Sequence, residues 1–463
     1  MPAQIAGLEA AAPGMDGASS EQMRSTWLAI AAVAGGCSAD PQDLGPIPAD
    51  PLDPGAPTPA CVECGPGAIR HGRELYGSLL VGPGDQVVRI VREHALWLDA
   101  DFAVSDDYLL PAAASSYRIA LDGEGTGVAM RQWQDQPVKP DPLGHPPPYH
   151  VELYGIDRGA AGPTFERPLD DNVDPTLAVG TDRIYVVSDS VIADPTAITV
   201  RSRTTAEVTA TVGLPDPAFP SDHLRAGYTR VVPLPSGGAI IAGSFAGSLA
   251  LGGTAPVLMS TRAGTGFIAS VDANGVGRWA IALTADGDIH AGGGVLAITV
   301  DDAGNVGLAG TWTGTSATLG STPLVSVGTS NMVIALLDPD GAVRWAHGFS
   351  GGEDVTGVGV TTDGTSVYVA GSFWSKPLGI DPAMQAPIDV DAFVAAIGAT
   401  GASWVRVARG AGDQRISLAG HTSRGLIAYL ESASVLGGEV ALSYGDVTIE
   451  GEIRMFAELV AGP

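Results

Sequence analysis

Eight histidines and three cysteines are the side chains in this 463-residue chain with the widest chemical repertoire. The histidines are His71, His94, His145, His150, His223, His290, His347 and His421, and none forms the His-x-x-x-His pair that sets two imidazoles on one helical face for zinc. His145-Pro-Pro-Pro-Tyr-His150 brings two imidazoles close in sequence, but the prolines between them mark an exposed loop. No phosphate-cradling Gly-x-x-x-x-Gly-Lys run, no strand-to-helix dinucleotide fingerprint and no Gly-x-Ser-x-Gly nucleophile elbow is read. The acidic pairs Asp170-Asp171 and Asp301-Asp302 offer oxygens to Ca²⁺ but lack the alternating spacing of a dedicated loop. The expectation is therefore no catalytic residue, no cofactor-binding residue and no metal ligand.

Charge narrows the partners. The formal net charge is −27, and Lys139 and Lys376 are the only lysines. Phosphate backbones and anionic headgroups demand clustered positive charge, so nucleic acid and direct membrane binding are excluded for the main body. The charge instead keeps a strand-rich monomer soluble. With 63 glycines and 34 prolines among 45% apolar residues, the chain has the turns and the core material of a protein built from many short strands.

The amino terminus carries a second pattern. Met23-Arg24-Ser25-Thr26 supplies a start residue and a positive charge, Trp27 to Ala34 a short apolar core, and Ala34-Gly35-Gly36-Cys37 a small-residue end before a cysteine. This resembles the lipobox of bacterial lipoproteins, with Ala34 where leucine is usual. The resemblance implies that residues 1–36 are signal peptide and an extension ahead of the true start at Met23, and that Cys37 is lipidated. The stretch 37–67 follows, with Pro41, Pro46, Pro48, Pro51, Pro54, Pro57 and Pro59 in close succession. It favours extended conformations and reads as a tether. In an oxidising envelope, Cys61 and Cys64 of Cys61-Val62-Glu63-Cys64 most simply form a local disulfide. A thioredoxin-like role needs a βαβ context that the flanking Pro and Gly deny, and a metal site needs two further ligands that are not spaced nearby.

The elements beyond residue 67 are set by a repeat. Ala239-Ile-Ile-Ala-Gly-Ser-Phe245, Val306-Gly-Leu-Ala-Gly-Thr-Trp312 and Val367-Tyr-Val-Ala-Gly-Ser-Phe373 align, each followed by a second apolar run, a turn such as Asp338-Pro-Asp-Gly341 and a tryptophan-bearing run. Gly243, Gly310 and Gly371 recur at spacings of 67 and 61, and Trp279, Trp345 and Trp404 at 66 and 59. Each unit holds four runs of five to seven residues bounded by turns, which suits strands rather than helices. Runs such as Val333 to Leu337 are apolar on both faces, as buried strands are. The fourth run alternates, with Trp345 and Phe349 on one side and Arg344 and Ala346 on the other, and is assigned to an outer edge. Its tryptophan is read as a residue packed between units rather than a ligand platform.

These motifs resemble the β-propeller repeat family of secreted and cell-surface bacterial proteins, in which an Ala-Gly-Ser-Phe strand precedes a Phe-Val-Ala-Lys-Leu-Asp-Ala-Asn-Gly hairpin and a Trp strand. The match covers Tyr228 to Asp413 well and Arg415 to Leu459 partly, and it lacks the hairpin lysine. The resemblance implies an all-β fold: a β-propeller of four-stranded antiparallel blades over 68–463, clearest at 226–288, 293–354 and 355–413. Seven blades are expected, with six as the alternative if 134–172 is an insertion. A ring must hide its edges, so Arg73-Glu-Leu-Tyr76 is expected to complete the last blade.

Function is then expected at the level of class. The leading reading is a non-enzymatic, lipid-anchored protein of the outer membrane or cell surface, or else a secreted one, whose propeller is a scaffold for an unknown protein or glycan. The alternatives are a secreted propeller hydrolase or lyase using axial carboxylates, and a purely structural surface protein.

Overall fold

The computed structural model describes the strands and most of their turns from residue 57 onward. The leader 1–56, the connections 59–68, 134–149, 170–175, 189–196, 215–229, 287–293 and 434–440, and several shorter turns lie outside the described residues. Among the described residues the strands form four four-stranded sheets, one six-stranded and one eleven-stranded sheet, which resolve into seven blades of four antiparallel strands once the added edge strands and the single parallel contact between the last two blades are set apart. The protein is a β-propeller.

Blade 1 runs through Ser78–Gly82, Gln86–Val91, His94–Leu98 and Val104–Leu109. Blade 2 follows with Ser116–Leu121, Thr126–Trp133, His150–Asp157 and Glu166–Leu169. Two of its strands fall within 134–172, so His150–Asp157 and Glu166–Leu169 are blade strands rather than parts of an insertion. Blade 3 comprises Thr176–Val179, Arg183–Ser188, Ala197–Ser202 and Val208–Gly213. Blade 4 comprises Arg230–Pro233, Ala239–Leu249, Leu258–Val271 and Gly277–Ala285. Blade 5 comprises Gly294–Val300, Val306–Thr313, Ser330–Leu337 and Val343–Ser350. Blade 6 comprises Val355–Thr362, Val367–Trp374, Val390–Gly398 and Gly401–Arg409.

Blade 7 takes Asp413–Thr422, Gly425–Ala433 and Ile453–Leu459 from the carboxy terminus and its fourth strand, Ile69–Glu74, from the other end of the chain. Gly72 pairs with Ala457 and Arg73 with Phe456. The closing strand thus starts four residues ahead of the expected Arg73. Within the proline-rich stretch, Pro57–Thr58 pairs with Arg73 and Gly72 as a further short strand on the same edge.

The first strand of every blade lies against the first strand of the next, and that of blade 7 returns to blade 1, so these seven strands form the inner wall of a closed ring. Neighbouring walls come close enough that a Cβ at Gly420 of blade 7 would meet the Val81 side chain of blade 1.

The alternation of strand side chains places the cores between blades rather than within them. In blade 5, Val333, Ala335 and Leu337 pack toward Ile240, Ile268 and Leu283 of blade 4. Met332, Ile334 and Leu336 pack toward Val369, Phe373 and Phe393 of blade 6. A strand with apolar neighbours on both faces has no polar side, so Val306–Thr313 and Val367–Trp374 are buried at all but their last position. The repeat glycines Gly243 and Gly371 face Phe267 and Phe393 across the ladder. These phenylalanines meet Phe245 and Phe373 edge-on at 6.0 and 6.1 Å. Blade 5 has Val333 opposite its glycine and the larger Trp312 in place of the second phenylalanine, exchanging volume between the two positions.

Outer edges are covered by neighbours. A hairpin in blade 5, Ser316–Leu319 with Thr322–Val325, adds to the outer strand of blade 4 through Leu283 and Leu319. A hairpin in blade 7, Ala441–Tyr444 with Val447–Glu450, adds to the outer strand of blade 6 through Ala408 and Tyr444. Pairing an exposed edge removes unsatisfied backbone groups and a route to aggregation.

Candidate functional site

The repeat dictates what joins one blade to the next, and the site is where that joint is left open. On each outer strand of blades 4 to 6 a tryptophan faces the next blade. The indole Nε1–H of Trp279 donates to the carbonyl of Pro339 at 2.9 Å, and that of Trp404 donates to the carbonyl of Ala461 at 2.9 Å. In blade 5 the contact is made two residues on: His347 Nε2 lies 3.0 Å from the carbonyl of Gly398, with the Trp345 and His347 rings 5.5 Å apart. The indole N–H groups of Trp279 and Trp404 are therefore committed to the fold.

The residue before the tryptophan differs between blades. Arg344 Nη1 donates to the carbonyl of Gly364 at 2.7 Å, in the first turn of blade 6, and reaches Asn305 Oδ1 at 3.5 Å. It links blades 5 and 6 on that face while its side chain stays exposed. The matching residue of blade 4 is Arg278, whose side chain is exposed and whose guanidinium makes no hydrogen bond or ion pair among the described residues. Its backbone carbonyl is engaged, by Thr254 Oγ1 at 2.7 Å.

A groove of about 460 Å³ lies beside it, between blades 4 and 5, lined among others by Ser236, Thr254, Arg278, Trp279, Asp302 and Asp340. That volume lies within the roughly 300–1,000 Å³ of small-ligand pockets. Two turns of blade 5 form one wall, and each uses one aspartate internally and presents another. Asp301 Oδ1 accepts from the backbone N–H of Asn305 at 2.7 Å and its Oδ2 accepts from Asn305 Nδ2 at 2.7 Å, which closes the first turn and leaves Asp302 exposed. Asp338 Oδ1 accepts from the backbone N–H groups of Asp340 and Ala342 at 3.0 and 2.8 Å, which closes the second and leaves Asp340 exposed. These are local Asx turns, the reason aspartate recurs at the start of such loops. Gly341, at φ +83°, completes the second turn, and its Cα lies so near the Trp279 indole that a Cβ would come within 2.5 Å of it. The groove thus presents an indole, one guanidinium, two carboxylates and two hydroxyl-bearing residues.

A second polar cluster sits on the two outermost strands of blade 1. His94 Nδ1 lies 2.9 and 3.0 Å from the two oxygens of Asp107, and Arg158 of blade 2 pairs with Asp106 at 3.2 Å and donates to Ser105 Oγ at 3.2 Å. The hydroxyl of Ser105 donates to the carbonyl of Trp97 at 3.0 Å, so its proton is committed to the backbone and not to His94. A base without a hydroxyl or thiol to deprotonate does not constitute a nucleophilic site.

Among the described residues the inner strands are poor in carboxylates. The seven inner strands carry Asp413 as their one acidic residue, and Arg415 lies 3.9 Å from it and 3.9 Å from Glu431. Paired acid and base carboxylates are not assembled on these strands.

Cys37, Cys61 and Cys64, expected to carry lipid and a disulfide, lie outside the described residues, as do His145, Asp170 and Asp171. Among the described residues no group of three His, Cys, Asp or Glu side chains is placed to hold a metal. Gly348-Phe349-Ser350-Gly351-Gly352 has the spacing of a nucleophile elbow, which the motif reading passed over. It ends the outer strand of blade 5 and leads to the strand at Val355 rather than to a helix, with the Ser350 carbonyl accepting from Gly379. Arg278 carried no motif in the sequence, and Asp302 stood out only as half of the acidic pair Asp301-Asp302. The signal available was that Arg278 and Arg344 occupy the same repeat position while their neighbouring turns differ in length.

Fold and site together define a β-propeller with an open groove between two blades. No protein-family model matches the chain and no curated protein matches it. Among solved structures it is similar to BamB from Moraxella catarrhalis, at 12% identity and a TM-score of 0.41, over 84% of this chain and 99% of that one. It is also similar to a europium-containing methanol dehydrogenase, at 8% identity and a TM-score of 0.39, over 78% and 85% of the two chains. A third likeness is the quinohemoprotein alcohol dehydrogenase from Comamonas testosteroni, at 12% identity and a TM-score of 0.31, over 73% of each chain.

Proposed function

We propose that this chain is a non-enzymatic binding scaffold of the cell envelope: a monomeric, acidic β-propeller over 68–463, carried on the tether 37–67 and anchored through lipid on Cys37 after removal of 1–36. The observation that carries the binding role is the groove between blades 4 and 5, where Arg278 is released from the clamp that Arg344 forms one blade later. The inner strands, with Asp413 as their one carboxylate, give an axial hydrolase little to work with. The net charge of −27 directs the propeller away from phosphate-rich partners, so its ligand is a protein or a glycan.

Anchoring is tested by metabolic labelling with a palmitate analogue and by membrane fractionation of the wild type and Cys37→Ala. Label on the wild type alone, with the variant released from the membrane, is the expected result; an unlabelled wild type, or unchanged fractionation of the variant, overturns the anchor. The non-enzymatic reading is tested with chromogenic ester and glycoside substrates. Turnover that disappears in Asp107→Asn or Asp413→Asn would establish a hydrolase instead.

A further inference from the structure

Deepening the binding reading above, on which it rests, we infer that the groove between blades 4 and 5 is a glycan site that takes a neutral, polyhydroxylated sugar chain. The argument is one of complementarity. Asp302 and Asp340 are exposed carboxylates that only accept hydrogen bonds, and Arg278 is an exposed guanidinium that only donates them. An anionic ligand would meet the two aspartates, and a cationic one would meet Arg278. A sugar hydroxyl is at once donor and acceptor, so a neutral glycan satisfies both kinds of group without leaving a charge unanswered.

The third element is the indole of Trp279. Its Nε1–H is committed to Pro339 and its ring is held against Gly341, so the ring is oriented before any ligand arrives. A fixed aromatic surface offers the apolar C–H face of a pyranose an area to cover, at little cost in side-chain entropy. Ser236 and Thr254 add hydroxyl-bearing side chains at the same groove. Its open, solvent-facing position on the turn side of the ring suits a chain that passes through rather than a small molecule that is enclosed.

The contrast with the next joint is what makes the groove specific. Between blades 5 and 6, Arg344 Nη1 is engaged by Gly364 and Asn305, and blade 6 itself has Ser403 at the matching position. Of the three clear repeats, blade 4 has the arginine with its donors unspent.

The test is titration of the full chain with two neutral tetrasaccharides, β-1,4-linked N-acetylglucosamine and α-1,4-linked glucose, followed by tryptophan fluorescence and calorimetry. Tetralysine and tetragalacturonate serve as cationic and anionic probes. Saturable binding of a neutral tetrasaccharide is expected, weakened about tenfold in Arg278→Gln or Asp302→Asn, the loss of one charge-assisted hydrogen bond. Both variants should melt with the wild type, since neither side chain is engaged in the fold. Absence of saturable binding by either neutral sugar, or a preference for tetralysine or tetragalacturonate, overturns the glycan site. Neutral-sugar binding that is unchanged in both variants overturns this groove while leaving the scaffold reading intact.

Discussion

Arg344 donates from Nη1 to the carbonyl of Gly364 at 2.7 Å, a contact that fastens the outer strand of blade 5 to the first turn of blade 6. The equivalent arginine one blade earlier, Arg278, makes no such side-chain hydrogen bond among the described residues, and the two should respond differently to truncation. Arg344→Ala is expected to lower stability by about 1 kcal/mol, the net worth of a hydrogen bond at a partly exposed site. Arg278→Ala should stay within about 0.5 kcal/mol of the wild type, as surface substitutions do. Urea denaturation of the two variants side by side checks both; equal losses would show that the blade joints are alike.

Gly341 is held between a turn and an indole. Its φ of +83° disfavours any L side chain, and a Cβ there would press on Trp279. Gly341→Ala is expected to destabilise by roughly 1–3 kcal/mol through backbone strain and the clash together. Trp279→Phe relieves the clash in part while removing the donor to Pro339, so the double variant should lose less than the sum of the singles. Thermal melts of the four proteins in the cycle measure the coupling.

Ring closure rests on the pairing of Gly72 with Ala457 and Arg73 with Phe456. A chain beginning after residue 76 leaves blade 7 with three strands and exposes an edge. Its melting temperature should fall by at least about 5 °C, and its unfolding should lose cooperativity. A chain beginning at residue 57 keeps both amino-terminal strands and should melt with the full-length protein. Calorimetry distinguishes the two.

Stability should also fall in acid where the hairpin of blade 5 docks on blade 4. Asp286 accepts from the backbone N–H of Ser316 at 3.0 Å, and from the hydroxyl and backbone N–H of Thr315 at 2.6 and 2.8 Å, and these hydrogen bonds hold its carboxyl well below the usual range. Asp363 is also lowered: burial pushes it up, but hydrogen bonds from Ser366, Tyr368 and Thr365 outweigh burial. A carboxylate whose folded pKa is depressed adds stability that is present above its unfolded value, about 3.9 for aspartate, and is lost as pH falls through the folded one. Asp286→Asn should therefore be less stable than the wild type at pH 6, with the gap beginning to narrow only below about pH 4 and closing as pH falls further through the depressed folded value. A gap that is constant with pH would remove the carboxylate's charge from the account.

Local pattern determined much of this protein. The recurrence of Gly243, Gly310 and Gly371, and of Trp279, Trp345 and Trp404, marks three blades, because strands buried on both faces must be apolar throughout and their turns must carry Asp and Gly. The alternation around Trp345 placed that run at an outer edge, and the need to hide a free edge pointed to an amino-terminal strand closing the ring. Tertiary structure decided the rest. The closing strand begins at Ile69 rather than Arg73, since register depends on which face of Ile453–Leu459 it must match. Pro57–Thr58 joins that edge, and the hairpins at Ser316 and Ala441 cross to neighbouring blades, because an edge is covered by whatever chain reaches it in space. Most of all, Arg278 and Arg344 look alike in sequence. Whether such an arginine closes a joint or lines a groove depends on the distance to a carbonyl some twenty residues away in the next blade, and only the assembled ring sets that distance.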